Sequence, residues 1–166
     1  MRQFKWLIFG LLIISVASRG EDIRMKDVFR QMPDSVFPTL STNNRLDMID
    51  FIDSKMKAEV TNLLGGKSEL TALTDDSLCL RMSNAATINM LLLESEEMID
   101  SCHQIICMVQ VFGTDSIGLD SKTEFYSPLW RRLTITPALS ERDKKRVESI
   151  EKKTFLNFID SILKKD

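Results

Sequence analysis

TINMLLL at residues 87–93 and IICMVQVF at residues 105–112 are the stretches whose reading decides the fold. Successive side chains of a β-strand point to opposite faces. In the first stretch Ile88, Met90 and Leu92 fall on one face and Leu91 and Leu93 on the other, and the second is apolar on both faces too. Such strands are central, and both of their faces must be covered. Working back, Leu78, Leu80 and Met82 alternate with Cys79 and Arg81, the pattern of a strand with one buried and one wetter face. Asp75-Asp76 makes the turn before it, and Ala58–Leu64 and Ser68–Leu73 flank Gly65-Gly66 as a β-hairpin. Ser95–His103 reads as an acidic loop between the central strands. Beyond Gly113 and a loop to Ser121, Thr123–Tyr126 and Trp130–Leu133 read as a last hairpin turning at Ser127-Pro128. The count is an antiparallel meander of about five to seven strands.

On either side of the meander the period is helical. Met25–Met32 is a short helix stopped by Pro33, and the cap-rich run Ser41-Thr42-Asn43-Asn44 opens a second one. In that helix Leu46, Ile49, Phe51, Ile52 and Met56 form the apolar stripe, with Asp47, Asp50 and Lys57 away from it. Residues 140–165 change period again: Ser140 is the cap, and Val147, Ile150, Phe155, Phe158, Ile159, Ile162 and Leu163 form a stripe. This helix is the natural cover for the second sheet face, a second copy of the chain being the alternative. Its first two turns lack an apolar anchor and are expected to fray. Glu141–Lys145 and Glu148–Lys152 are the expected i,i+4 pairs. The predicted class is α+β: N-terminal helices, the meander, and a C-terminal amphipathic helix.

The first eighteen residues, MRQFKWLIFGLLIISVAS, have a basic start, an apolar run from Trp6 to Val16 and a small-residue exit, the layout of a secretory signal peptide. The run is well short of the ~20 residues of a permanent span, so no stable membrane span is expected after cleavage. The mature start is expected near Arg19 or Glu21, and the location is periplasmic or secreted. Residues 19–166 are the size of one domain. The net charge of −2 becomes more negative once Arg2 and Lys5 are removed. A nucleic-acid partner is excluded on that ground, because such binding runs through basic surfaces.

MPDSVFPTLSTNNRLDMIDFIDSKMKAEVTNLLGGKSELTALTDDSLCLRMS, the strand QIICMVQVFG and the segment TEFYSPLW together resemble a family of small exported proteins of unknown function from gut-type anaerobic Gram-negative bacteria. The resemblance covers roughly Val28 to Leu133, with most of it between Met32 and Met82. It implies a bacterial periplasmic or surface-released protein and carries over no activity, ligand or catalytic residue.

The chemistry-bearing residues are sparse. His103 is the one histidine, so any nucleophilic triad must run through it. Its neighbour Cys102 points to the opposite face if the chain is extended there. Cys79, Cys102, His103 and Cys107 have the inventory of a zinc site but no Cys-x₂-Cys spacing, so no metal is expected. A Cys102–Cys107 bridge needs the backbone to turn back between them, whereas Gln104-Ile105-Ile106 reads as strand. Asp47, Asp50 and Asp53 recur along one helix as a solvated face, with Asp53 supported by Lys57, and no calcium-loop spacing accompanies them. The nine methionines read as core filler. What is left is Tyr126, Trp130, Arg131 and Arg132, a stacking or cation–π surface for a sugar or peptide. The expected function is a non-enzymatic exported binding or interaction module without cofactor, its partner a protein or an envelope glycan, with homo-oligomers possible. The alternatives are an envelope hydrolase using carboxylates that cannot be singled out, and a subunit of an oligomeric assembly.

Overall fold

The computed structural model describes residues 23–114, 118–134, 136–150 and 152. The expected signal peptide and the helix beyond residue 152 lie outside the described residues. Helices α1 (Met25–Gln31) and α2 (Thr42–Asp53) precede six strands: β1 (Glu59–Thr61), β2 (Lys67–Leu73), β3 (Ser77–Ser83), β4 (Ala86–Ile99), β5 (Cys102–Thr114) and β6 (Gly118–Tyr126). All pair antiparallel in sequence order, a meander. Residues 141–150 form a last helix, α3. The class is α+β, as the periodicities predict.

The Ser41 hydroxyl accepts the Asn44 N–H at 3.2 Å while the Asn44 side chain reaches back to the Ser41 N–H, a capping box that starts α2. Its buried face is Arg45, Met48 and Ile49; Leu46, Phe51 and Ile52 are only half-buried. Met56 leaves the predicted stripe at 54% exposure, because α2 ends at Asp53 and Lys55, at φ 58°, turns the chain away. Arg45 is fully buried. Its guanidinium donates to the carbonyls of Leu40 (2.7 Å) and Met32 and pairs with Asp34 at 2.9 Å, closing the loop between the helices.

Both faces of the central strands are covered by the chain itself. Against one face, where Leu80, Ile88, Met90, Ile106 and Met108 lie, α1 and α2 pack Met25, Phe29, Met48 and Ile49. The other face carries Leu91, Leu93, Ile105, Cys107, Val109 and Val111, under Leu133, Leu139 and the α3 residues Val147 and Ile150. Each large side chain buried there is worth about 1.5–3 kcal/mol of hydrophobic stabilisation. No helix among the described residues is long and apolar enough to cross a membrane.

Five local expectations need correction. The stretch from Gly113 to Ser121 is not a loop throughout: β5 runs to Thr114 and β6 starts at Gly118, with Gly113 opposite Leu119 and Val111 opposite Ser121. Ser95–His103 is not a loop: β4 runs on to Ile99 and turns through Asp100 (φ 52°) and Ser101 (φ 64°) into Cys102. Two left-handed residues make the primed turn whose twist suits a hairpin, and the charged side chains of an outlying ribbon face water without hindering extension. Trp130–Leu133 is not a strand either. β6 spends its pairing on β5, and only the bridge Tyr126↔Arg132 forms, because Trp130 sits at φ 61° and the Ser127 N–H bonds the Arg131 carbonyl at 2.8 Å. The start of α3 is anchored by polar groups. Ser140 caps the Asp143 N–H at 3.1 Å, Asp143 is buried, and Arg146 reaches Asp76 of the β2–β3 turn at 2.7 Å. Finally, Glu141 pairs with Lys144 at 2.6 Å rather than with Lys145.

Candidate functional site

β4 is longer than its neighbour. Its last partner in β3 is Ser77, facing Leu91, yet it continues to Ile99 beside β5 alone. The β4–β5 hairpin therefore projects beyond β3 as a ribbon. After β6 the chain turns at Ser127–Trp130 and crosses the α3-covered face as a strap, its Leu133 N–H bonded to the Phe125 carbonyl at 2.8 Å. Between ribbon and strap lies a cleft of about 460 Å³. Ser95, Glu96, Glu97 and Ile99 form one wall, and Arg132, Leu133, Thr134, Thr136, Pro137 and Ala138 the other. The lining thus combines apolar side chains, hydroxyl groups, two carboxylates and one guanidinium.

Arg132 is held by Glu124, a buried carboxylate at 2.8 Å that also meets Lys122 at 3.0 Å and the Gln110 amide at 3.1 Å. This pairing fixes the Arg132 head at the cleft and offsets part of its charge, the carboxylate being shared with Lys122. Glu96 and Glu97 are exposed. The cleft is therefore acidic on balance. Next to it Arg131 pairs with Asp100 at the hairpin tip, an Asp100 side chain that is 2% exposed and whose second oxygen has no hydrogen-bond partner.

Of the four residues singled out from the sequence, the structure places two outside and two inside. Arg131 and Arg132 are exposed, but the Tyr126 and Trp130 rings are buried, with centroids 5.5 Å apart at 55°. The Trp130 indole N–H donates to the Val28 carbonyl at 3.0 Å, tying the turn to α1. Burial and then the neighbouring Glu124 hold the Tyr126 phenol above its ordinary pKa. These rings build the core and do not form an open stacking face, because each is amphipathic and finds its polar partner inside.

The remaining candidates stay scattered. Cys79, Cys102 and Cys107 form no disulfide, the last being buried, and His103 is exposed at the start of β5. Among the described residues no three metal-ligating side chains come together. Asp47, Asp50 and Asp53 face solvent on α2. Asp53 pairs with Lys26 of α1 instead of Lys57, which turns to Glu59 at 2.5 Å. Nine of the ten cleft-lining residues, Arg132 excepted, escaped the sequence reading. The only signals were the hydroxyl-rich run before Pro137 and the excess of carboxylates in Ser95–Glu97, neither of which specifies a cleft.

In fold, this is an α+β domain, a single antiparallel meander between two N-terminal helices and a C-terminal strap and helix. The chain belongs to a family of proteins of unknown function, DUF3256, which it matches over residues 18–164. Among solved structures it is similar to a domain of an uncharacterized protein from Porphyromonas gingivalis W83, with a TM-score of 0.54 and 21% identity over 69% of this chain. The match spans 55% of that other chain, and at this identity the likeness concerns fold alone. No curated protein matches the chain.

Proposed function

We propose that this is an exported, non-enzymatic binding protein of gut-type anaerobic Gram-negative bacteria, periplasmic or secreted, and that the cleft between ribbon and strap takes a peptide segment of another protein. Export is supported by the signal-peptide layout of residues 1–18. The observation that carries the binding reading is the cleft itself, lined by apolar side chains together with a few polar and charged groups. Tyr126 and Trp130, the rings that a glycan site would use as a platform, are spent in the core, so a peptide fits better than a sugar. An envelope hydrolase has Glu96 and Glu97 in its favour, but glycoside hydrolysis needs two carboxyl groups flanking one bond across roughly 5–10 Å. Here they are sequence neighbours on one wall, facing a guanidinium.

A photoreactive residue in place of Thr136 is expected to cross-link a discrete peptide or protein from envelope extract, and Ala138→Trp to abolish the cross-link. Labelling unchanged by the tryptophan would overturn the assignment of the cleft. For export, the intact mass of native protein is expected to begin near Arg19 or Glu21, and cytosolic protein retaining Met1–Val16 would refute it.

A further inference from the structure

We infer that the occupant of this cleft is an extended cationic segment, laid along the outer edge of β4 at Ser95–Met98 as an added strand, with a lysine or arginine side chain directed to Glu96 and Glu97. The inference rests on the cleft being the ligand site and names the chemistry of what it binds.

Three observations carry it. The β3 ladder ends at Ser77↔Leu91, and the Leu92 N–H makes one further bond to the Asp76 carbonyl at 2.8 Å. Beyond it no described strand lies along the outer side of β4. The β5 side is also loosened: Glu94 faces Gln104 and Ile99 faces Cys102, so the four residues Ser95–Met98 stand opposite His103 alone. A bulge of this kind lifts backbone groups out of the ladder; the Glu97 N–H is taken by the Ser95 hydroxyl at 3.2 Å, and an edge with the remaining N–H and C=O groups is a template for a further strand. The charge on this edge is acidic on balance. Glu94, Glu96 and Glu97 are exposed along it, the nearby cation Arg132 is paired with Glu124 at 2.8 Å, and Arg146, which reaches the Leu92 carbonyl at 3.5 Å, is paired with Asp76 at 2.7 Å and Asp143 at 3.5 Å. An incoming strand of basic side chains is complemented there, and an acidic one is repelled. Lastly, every second side chain of such a strand has apolar lining residues to meet in Ile99, Leu133, Pro137 and Ala138, with Met98, 64% exposed, beside Ile99 in the chain.

The test uses a fluorescent synthetic peptide of alternating lysine and valine, its N-methylated version blocked at alternate amides, and a glutamate–valine counterpart, against the folded mature chain. Binding of the lysine peptide is expected, at least tenfold weaker for the N-methylated form and for the Glu96→Gln/Glu97→Gln double variant. Asp47→Asn/Asp50→Asn, which removes two charges on exposed α2 positions, is expected to bind as the parent does, which separates the site from general attraction to an acidic protein. Amide NMR shifts are expected to concentrate at Leu93–Ile99. Equal binding of the N-methylated or glutamate peptide, or no loss on neutralising Glu96 and Glu97, would overturn the inference. If the lysine peptide fails while the Thr136 cross-link persists and is blocked by Ala138→Trp, the cationic strand is refuted and the binding site stands; if both fail, both fall.

Discussion

Arg45 shows how one side chain settles a loop. Its guanidinium, fully buried on α2, serves the carbonyls of Leu40 and Met32, the Thr42 hydroxyl and the Asp34 carboxylate. Arg45→Met keeps much of the stem but leaves buried carbonyls without donors, and it is expected to cost about 3 kcal/mol in denaturant unfolding. Retention of parental stability would show that water replaces the guanidinium. Trp130 is the second such residue. Trp130→Phe loses the bond to the Val28 carbonyl and is expected to destabilise by about 1–3 kcal/mol in denaturant unfolding followed by circular dichroism. Neither role was legible in the sequence: a lone arginine among polar cap residues and a tryptophan beside two arginines both resemble surface groups until distant segments supply Met32 and Val28.

At the scale of elements, the β4–β5 hairpin is the feature that makes the site, and its turn is imperfectly matched to its geometry. Ser101 sits at φ 64°, where a non-glycine residue is strained, at the second central position of a primed turn that favours glycine. Ser101→Gly is expected to raise stability by about 0.5–1 kcal/mol in thermal or urea unfolding, and a loss would mean the serine side chain bonds within the turn. The alternation over Thr87–Leu93 and Ile105–Phe112 announced both central strands because burial on two faces writes itself as an unbroken apolar run. The extension through Ser95–Ile99 was hidden, since a solvated ribbon has no core to impose a pattern. α3 has the mirror-image history: its apolar stripe was visible, but its first turn is held by Asp143 and by Arg146 on Asp76, a partner far away in the chain.

For the molecule as a whole, acid is the expected weakness. Thr42 and then Arg45 hold the Asp34 carboxyl below the usual range, and Lys57 does the same for Glu59. Burial works to raise Asp76, but the Thr74 hydroxyl and Arg146 outweigh it, so its pKa is lowered as well. In each case the unfolded chain binds a proton that the folded protein refuses, so the stabilisation is present above the ordinary carboxylate pKa and is lost as pH falls below about 4. The melting temperature is expected to drop as pH falls below about 4, less steeply in Arg146→Gln, whose Asp76 has lost its partner. A flat profile through that window would contradict the pairing. What the sequence by itself determined was the class: two helices, a meander with two doubly apolar strands, and a C-terminal cover, because periodicity and turn chemistry are local and are imposed wherever a face is buried. Only the tertiary structure decided that the chain covers both sheet faces itself, that Tyr126 and Trp130 turn inward, and that Glu96 and Glu97 meet Arg132 across a cleft. Those facts depend on where a strap more than thirty residues downstream crosses a ribbon, a long-range geometry on which local alternation and charge place no constraint.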